Sequence, residues 1–135
     1  MVLMALLGGG RLAHAQGSDS TAAAVAAARA WLQLVDAGRN GESWDSAAAI
    51  FKGAVTRSGW EEAVREGRAP WEPFGERELL GASYRTSLPN VPPGAYVVIQ
   101  FRTRAGKERR VVETITPARA QDGRWRIAGY YVRPE

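Results

Sequence analysis

The stretch "RAPWEPFGE", Arg68 to Glu76, divides the chain into two parts with different hydrophobic periods. Before it, apolar residues recur every three or four positions, as on one face of a helix. After it they alternate with polar neighbours, as on a half-buried strand. Two prolines and a glycine make the stretch itself a poor helix or strand. Helices followed by strands predict an α+β domain, with N-terminal helices packed on one antiparallel sheet.

Upstream, Ser18 or Ser20 is placed to cap a helix running to about Asp36, with Val25, Ala28, Leu32 and Val35 on one side and Trp31 beside them. Gly38 ends it. A shorter helix is expected from Ser43, with Trp44, Ala47, Ala48 and Phe51 along one face. In "SGWE", Ser58 and Glu61 have capping-box spacing, and Trp60 with Val64 forms an i, i+4 apolar pair before Gly67 and Pro70 stop the third helix. Downstream, four strands of a meander are expected. Their alternating residues are Leu80, Ala82 and Tyr84; Val97, Ile99 and Phe101; Val111 and Ile115 around Glu113; and Trp125, Ile127 and Tyr131. "PNVPPG", "AGKE" and "QDGR" supply the turns between them. Trp71 and Phe74, set among prolines, either lid the open end of the fold or pack as core margin.

The N-terminus reads as a leader. Val2 to Leu7 is apolar, and Ala13-His14-Ala15 has the small-x-small pattern of a signal-peptidase site, so residues 1–15 are expected to be removed near Ala15-Gln16. A disordered cytoplasmic tail is the alternative. The apolar run falls far short of the roughly 20 residues a membrane span needs. Residues 16–135 then form a single α+β domain, periplasmic or secreted. With no cysteine, this domain must be held by burial, to which five Trp, four Tyr and three Phe contribute most per residue.

Several blocks in order, "AWLQLVDAGRNGESWDSAAAIFKGAVTRSGWEEAV", "SLPNVPPGAYVVIQFRT", "VETITP" and "GRWRIAGYYVR", resemble the bacterial domain-of-unknown-function family 4019. The order of elements is similar to the cone-shaped fold of nuclear transport factor 2-like and cystatin-like domains. The resemblance implies that fold. It carries over no catalytic residues.

Composition narrows the chemistry. The only histidine, His14, lies in the leader and cysteine is absent, which excludes Ser-His-Asp and Cys-His catalysis and His- or Cys-ligated metal in the mature chain. No glycine-rich phosphate loop precedes a helix, so no cofactor is expected. Glu113 is the one acid of interest, because alternation places it with Val111 and Ile115. Pointing inward, it is a candidate catalytic acid or base of the ketosteroid-isomerase kind. Facing solvent, or paired with Arg102 or Arg126, it is structural, and that reading is favoured.

On the last strand, Trp125, Ile127, Gly129 and Tyr131 are expected to meet the helices, while Tyr130 faces outward as a surface residue or part of a homodimer contact. Trp31, Trp44, Trp60, Tyr84, Phe101, Trp125 and Tyr131 are core residues or the lining of a small concave pocket for an apolar ligand. The net charge of +4 is concentrated in "FRTRAGKERR", where Arg102, Arg104, Lys107, Arg109 and Arg110 face one acid, Glu108. That hairpin is a candidate contact for an anionic surface. Nucleic acid is disfavoured, since no aromatic lies between the charges to stack on bases. The sequence therefore predicts an exported, non-catalytic binding or interaction module, with an acid/base enzyme using Glu113 as the alternative and the basic hairpin as a third reading.

Overall fold

A computed structural model describes residues 3–135, with side chains from Ser20 onward. The leader's side chains, His14 among them, lie outside the described residues. Four helices, α1 (Leu3–Asp36), α2 (Asn40–Asp45), α3 (Ala49–Ala54) and α4 (Arg57–Arg68), precede a 3₁₀ turn (Ala69–Trp71). Four strands follow, β1 (Phe74–Arg85), β2 (Tyr96–Ala105), β3 (Arg109–Arg119) and β4 (Trp125–Pro134). They form one antiparallel sheet in the order β1-β2-β3-β4, so the period change across Arg68–Glu76 marks the boundary between helices and meander.

Three helical details differ from expectation. No cap at Ser18 or Ser20 begins α1, because the helix continues back to Leu3 through a segment without proline. Its other end closes as expected: Gly38 adopts φ 75°, its N–H donates to Val35 O at 3.0 Å, and Arg39 N–H donates to Leu34 O at 2.9 Å. That is the paired closure a left-handed glycine permits. The helix expected from Ser43 is two short ones. Between them Ala48 is extended (ψ 153°), and its N–H donates to Ile127 O at 2.8 Å, tying this break to β4. The cap of α4 is Thr56, whose hydroxyl accepts from Gly59 N–H at 3.1 Å. Ser58 already lies inside the helix, where a capping side chain has no extended backbone to work from.

The core lies between α1 and the sheet. Ala24, Ala28, Trp31, Leu32 and Val35 pack over Val97, Ile99 and Phe101 of β2 and Ile115 of β3. An aromatic layer caps it. Trp31 lies 5.7 Å from Trp60 and 5.5 Å from Tyr130 between ring centroids, and Phe51 meets the Trp60 ring edge-on at 4.9 Å, the offset and tilted geometries that ring quadrupoles prefer. Buried Ser43 serves both indoles: Trp31 donates to its carbonyl (2.8 Å) and Trp60 to its hydroxyl (2.9 Å).

Two bulges correct the strand faces. On β1, Leu79 pairs with Phe101 and Gly81 with Gln100, leaving Leu80 between them unpaired. Leu80 is consequently exposed instead of sharing an inner face with Ala82. On β4, Ile127 pairs with Pro117 and Gly129 with Thr116. Ala128 is the extra residue, and the side-chain period of two reverses there. Ile127 therefore faces the helices, as expected, and so does Tyr130, whereas Tyr131 turns outward and is 58% exposed.

Candidate functional site

At one end of the helix–sheet interface six side chains from six elements form a charge network. Alternation about fully buried Phe101 and Ile115 places Thr103 (β2) and Glu113 (β3) on the inner face. Arg77 of β1 pairs with Thr103 across the ladder and so points the same way. From the helices come Asp36, the last residue of α1, and Arg68, the last of α4.

Glu113 is 0% exposed. Its Oε1 accepts from Arg77 Nε (2.6 Å) and from the Thr103 hydroxyl (2.6 Å), and its Oε2 accepts from Arg77 Nη2 (3.3 Å) and from the Tyr130 hydroxyl. Arg77 continues to Asp36 through Nη1 (2.6 Å) and Nη2 (2.9 Å). Arg68 reaches the same Asp36 through Nη2 (2.5 Å), while its guanidinium lies over the Phe74 ring, 3.7 Å from the centroid. Arg68 Nε and Nη1 are buried without a partner. Two carboxylates and two guanidiniums make the cluster neutral, which is how charges are tolerated out of water.

The titration behaviour follows. Burial favours neutral Arg77, but hydrogen bonds to Asp36 and Glu113 outweigh it and hold the guanidinium above its ordinary value. For Asp36, burial raises the pKa, and hydrogen bonds from Arg77 and then Arg68 more than reverse this. Burial first, then the Glu113 charge, pushes the Tyr130 phenol upward.

Glu113 is thus inward and ion-paired at once. Its partner is neither Arg102, which bonds Glu78 and Glu135, nor Arg126, which bonds Asp122. Among the remaining site candidates, Trp31, Trp60 and Phe101 are buried in the core, Trp44 and Trp125 are half-buried, and Tyr84 and Tyr131 are exposed. Trp31 and Trp125, together with Ala27, Ala30, Leu34 and Ile127, line a groove of about 420 Å³ between α1 and β4, whose polar lining is Ser46, Arg124 and Arg126. Trp71 packs under Arg109 (4.8 Å), which also donates to Pro70 O. Arg104, Lys107 and Arg110 are exposed, and Arg104 stands directly opposite Arg110 in the β2–β3 ladder.

Sequence reasoning missed Asp36, Arg68, Arg77 and Thr103. Thr103 carried a signal, since alternation from Phe101 places it inward; Asp36 and Arg68 sit at helix ends, where periodicity says least.

The family model described as Protein of unknown function (DUF4019) matches residues 27–130. The chain belongs to this family. Its matched span includes Asp36, Arg68, Arg77, Thr103, Glu113 and Tyr130. No curated protein and no solved structure matches the chain. Among the described residues no helix is long and apolar enough to cross a membrane, and no group of three His, Cys, Asp or Glu gathers as a metal ion would need.

The depressed Asp36 pKa has a signed consequence. Its folded value lies below the ordinary 3.8, so its contribution to stability is fully present above that value and is lost as pH falls through the folded one. Asp36→Asn is expected to lower the unfolding midpoint at neutral pH, and the gap from wild type should close as pH falls below the ordinary carboxylate range. Urea unfolding across that pH series checks this; a gap that stays constant with pH would refute it.

Proposed function

We propose that this family member is an exported, periplasmic or secreted, non-catalytic binding module that takes a small apolar ligand in the groove between α1 and β4. The observation that carries the non-catalytic reading is the state of Glu113. A general acid or base must come within hydrogen-bond reach of its substrate, and this carboxylate has no exposed surface, with four donors on its two oxygens. Those donors favour a structural acid over the ketosteroid-isomerase alternative. The order of helices and meander supports the cone-shaped fold reading.

The groove has the attributes of a ligand site. Its volume of about 420 Å³ falls in the range of roughly 300–1,000 Å³ typical of small-molecule sites. Two alanines leave room beside the Trp31 and Trp125 rings. Arg126 in its lining is held by Asp122, whereas the Arg124 side chain has no ion pair among the described residues, which favours a ligand with an acidic end. With dodecanoate as probe, tryptophan emission is expected to change saturably, and Ala30→Trp, which fills the groove from the helix surface, should weaken binding about tenfold or more. No response in wild type, or equal binding in the variant, would reject the groove.

Export rests on the leader pattern of residues 1–15. N-terminal sequencing of chain recovered from the envelope or medium should begin near Gln16; an intact Met1 in the cytoplasmic fraction would overturn that part of the proposal.

Arg104 and Arg110 favour a second reading, contact with an anionic surface. Like charges directly opposite in a ladder destabilise it, and among the described residues neither arginine has an acid partner. The pair lines a cleft of about 420 Å³ with Arg77 and Arg102, four guanidiniums against the two acids Glu76 and Glu78. Vesicles rich in anionic lipid should bind wild type at low salt and release it as salt rises. The double reversal Arg104→Glu, Arg110→Glu should fold and fail to bind; absence of binding by wild type at low salt would exclude this reading.

A further inference from the structure

We propose that β1 is a self-pairing edge: two copies of the chain join antiparallel along β1 into a continuous eight-stranded sheet. This rests on observations separate from the groove and the charge network.

β1 is twelve residues long and lies at one end of the sheet order. It contains neither proline nor lysine, two residues that commonly guard an edge. Of the four large apolar side chains exposed among the described residues, Leu79, Leu80 and Tyr84 are on this strand. Its inner charge, Arg77, is bound to Glu113 and Asp36, and Glu78 on the outer face is bound to Arg102. Glu76 and Arg85 remain, both exposed and neither in an ion pair among the described residues.

The register decides which partner fits. The inner residues are Arg77, Leu79, Ala82 and Tyr84, opposite buried Thr103, Phe101, Ile99 and Val97. Glu76 falls in a second irregularity of β1, between Phe74 and Arg77, where it and Gly75 together stand opposite outward Arg104; Arg85 pairs with Tyr96 beside inward Val97, so both charges lie on the outer face. An ordinary strand could not set residue 80 against residue 81 of a twofold partner, because their side chains would face opposite ways. The bulge removes that conflict, since Leu80 and Gly81 together occupy one ladder position opposite Gln100. A twofold axis through the bulge then sets Leu79 against Ala82 of the second copy and Arg77 against its Tyr84, inner face to inner face. It also sets Glu76 against the partner copy's Arg85, twice over, on the outer face. Bulges usually turn an edge away from pairing; at the centre of this strand the bulge is what makes self-pairing symmetric, and the two unpaired charges are complementary in that register.

Sedimentation equilibrium of the full chain tests the proposal. Wild type is expected to dimerise. Glu76→Arg alone and Arg85→Glu alone should each raise the dimer dissociation constant about tenfold or more, since each reversal turns two cross-copy attractions into repulsions. The swap Glu76→Arg, Arg85→Glu should restore dimerisation. Both residues are exposed, and circular dichroism verifies that the variants fold. A monomeric wild type overturns the proposal. So does a dimer indifferent to the single reversals, one that Tyr131→Glu disrupts in their place by way of the outer sheet face, or a swap that fails to restore pairing.

Discussion

Glu113 lies beneath the helices with no water to solvate it, and the chain replaces that water with Arg77, Thr103 and Tyr130. Removing an ion from water costs several kcal/mol even after relaxation, so the exchange is viable only if every donor arrives together. Each comes from a different strand, while Asp36 and Arg68 bring the ends of α1 and α4 to the same point. The network therefore fixes more than local geometry. A one-residue slip of any strand would send its member to the opposite face and leave a buried charge uncompensated, so the register of the whole sheet and the seating of two helices depend on one carboxylate.

The aromatic layer stands beside this network and shares Tyr130 with it. The phenol donates to Glu113 while its ring packs against Trp31 and Trp60. Ser43 fixes those two indoles from the other side, and the break after α2 binds Ala48 to β4. The groove between α1 and β4 is thus walled by rigid parts: Trp31 is held through Ser43, and Ile127 is held through the Ala48 backbone. A ligand there would meet a preformed surface, which lowers the ordering cost of binding.

Most of the architecture was legible in the sequence because it rests on periodicity. Val97, Ile99 and Phe101 could be placed on the inner face from alternation alone, and Gly38 could be placed after the helix because only a left-handed residue closes it this way. The exceptions share a physical cause. Leu80, Tyr130 and Tyr131 lie at or beyond bulges, and a bulge is a relation between two strands that neither strand's own pattern contains. The candidate site was half legible. The inward direction of Glu113 followed from its neighbours, but its partner did not, since Arg77 precedes the β1 bulge and Asp36 and Arg68 end helices far away in sequence. Many arginines were eligible on charge alone, and the choice among them is made by tertiary placement.

The bulge at Ala128 also bears on how this chain tolerates insertions and deletions. Losing that one residue would remove the bulge and leave every pair beyond it in place, because Gly129 already stands opposite Thr116 and Val132 opposite Glu113. The strand therefore carries one residue of slack between Ile127 and Tyr130. A second loss there would find none. Tyr131 would move to the place of Tyr130, where a phenol would still stand beside Ile115, but Arg133 would move opposite Glu113, a third guanidinium among charges that already balance. The strand can thus shorten by one residue and no more, and the limit is set by the residue after the tyrosines.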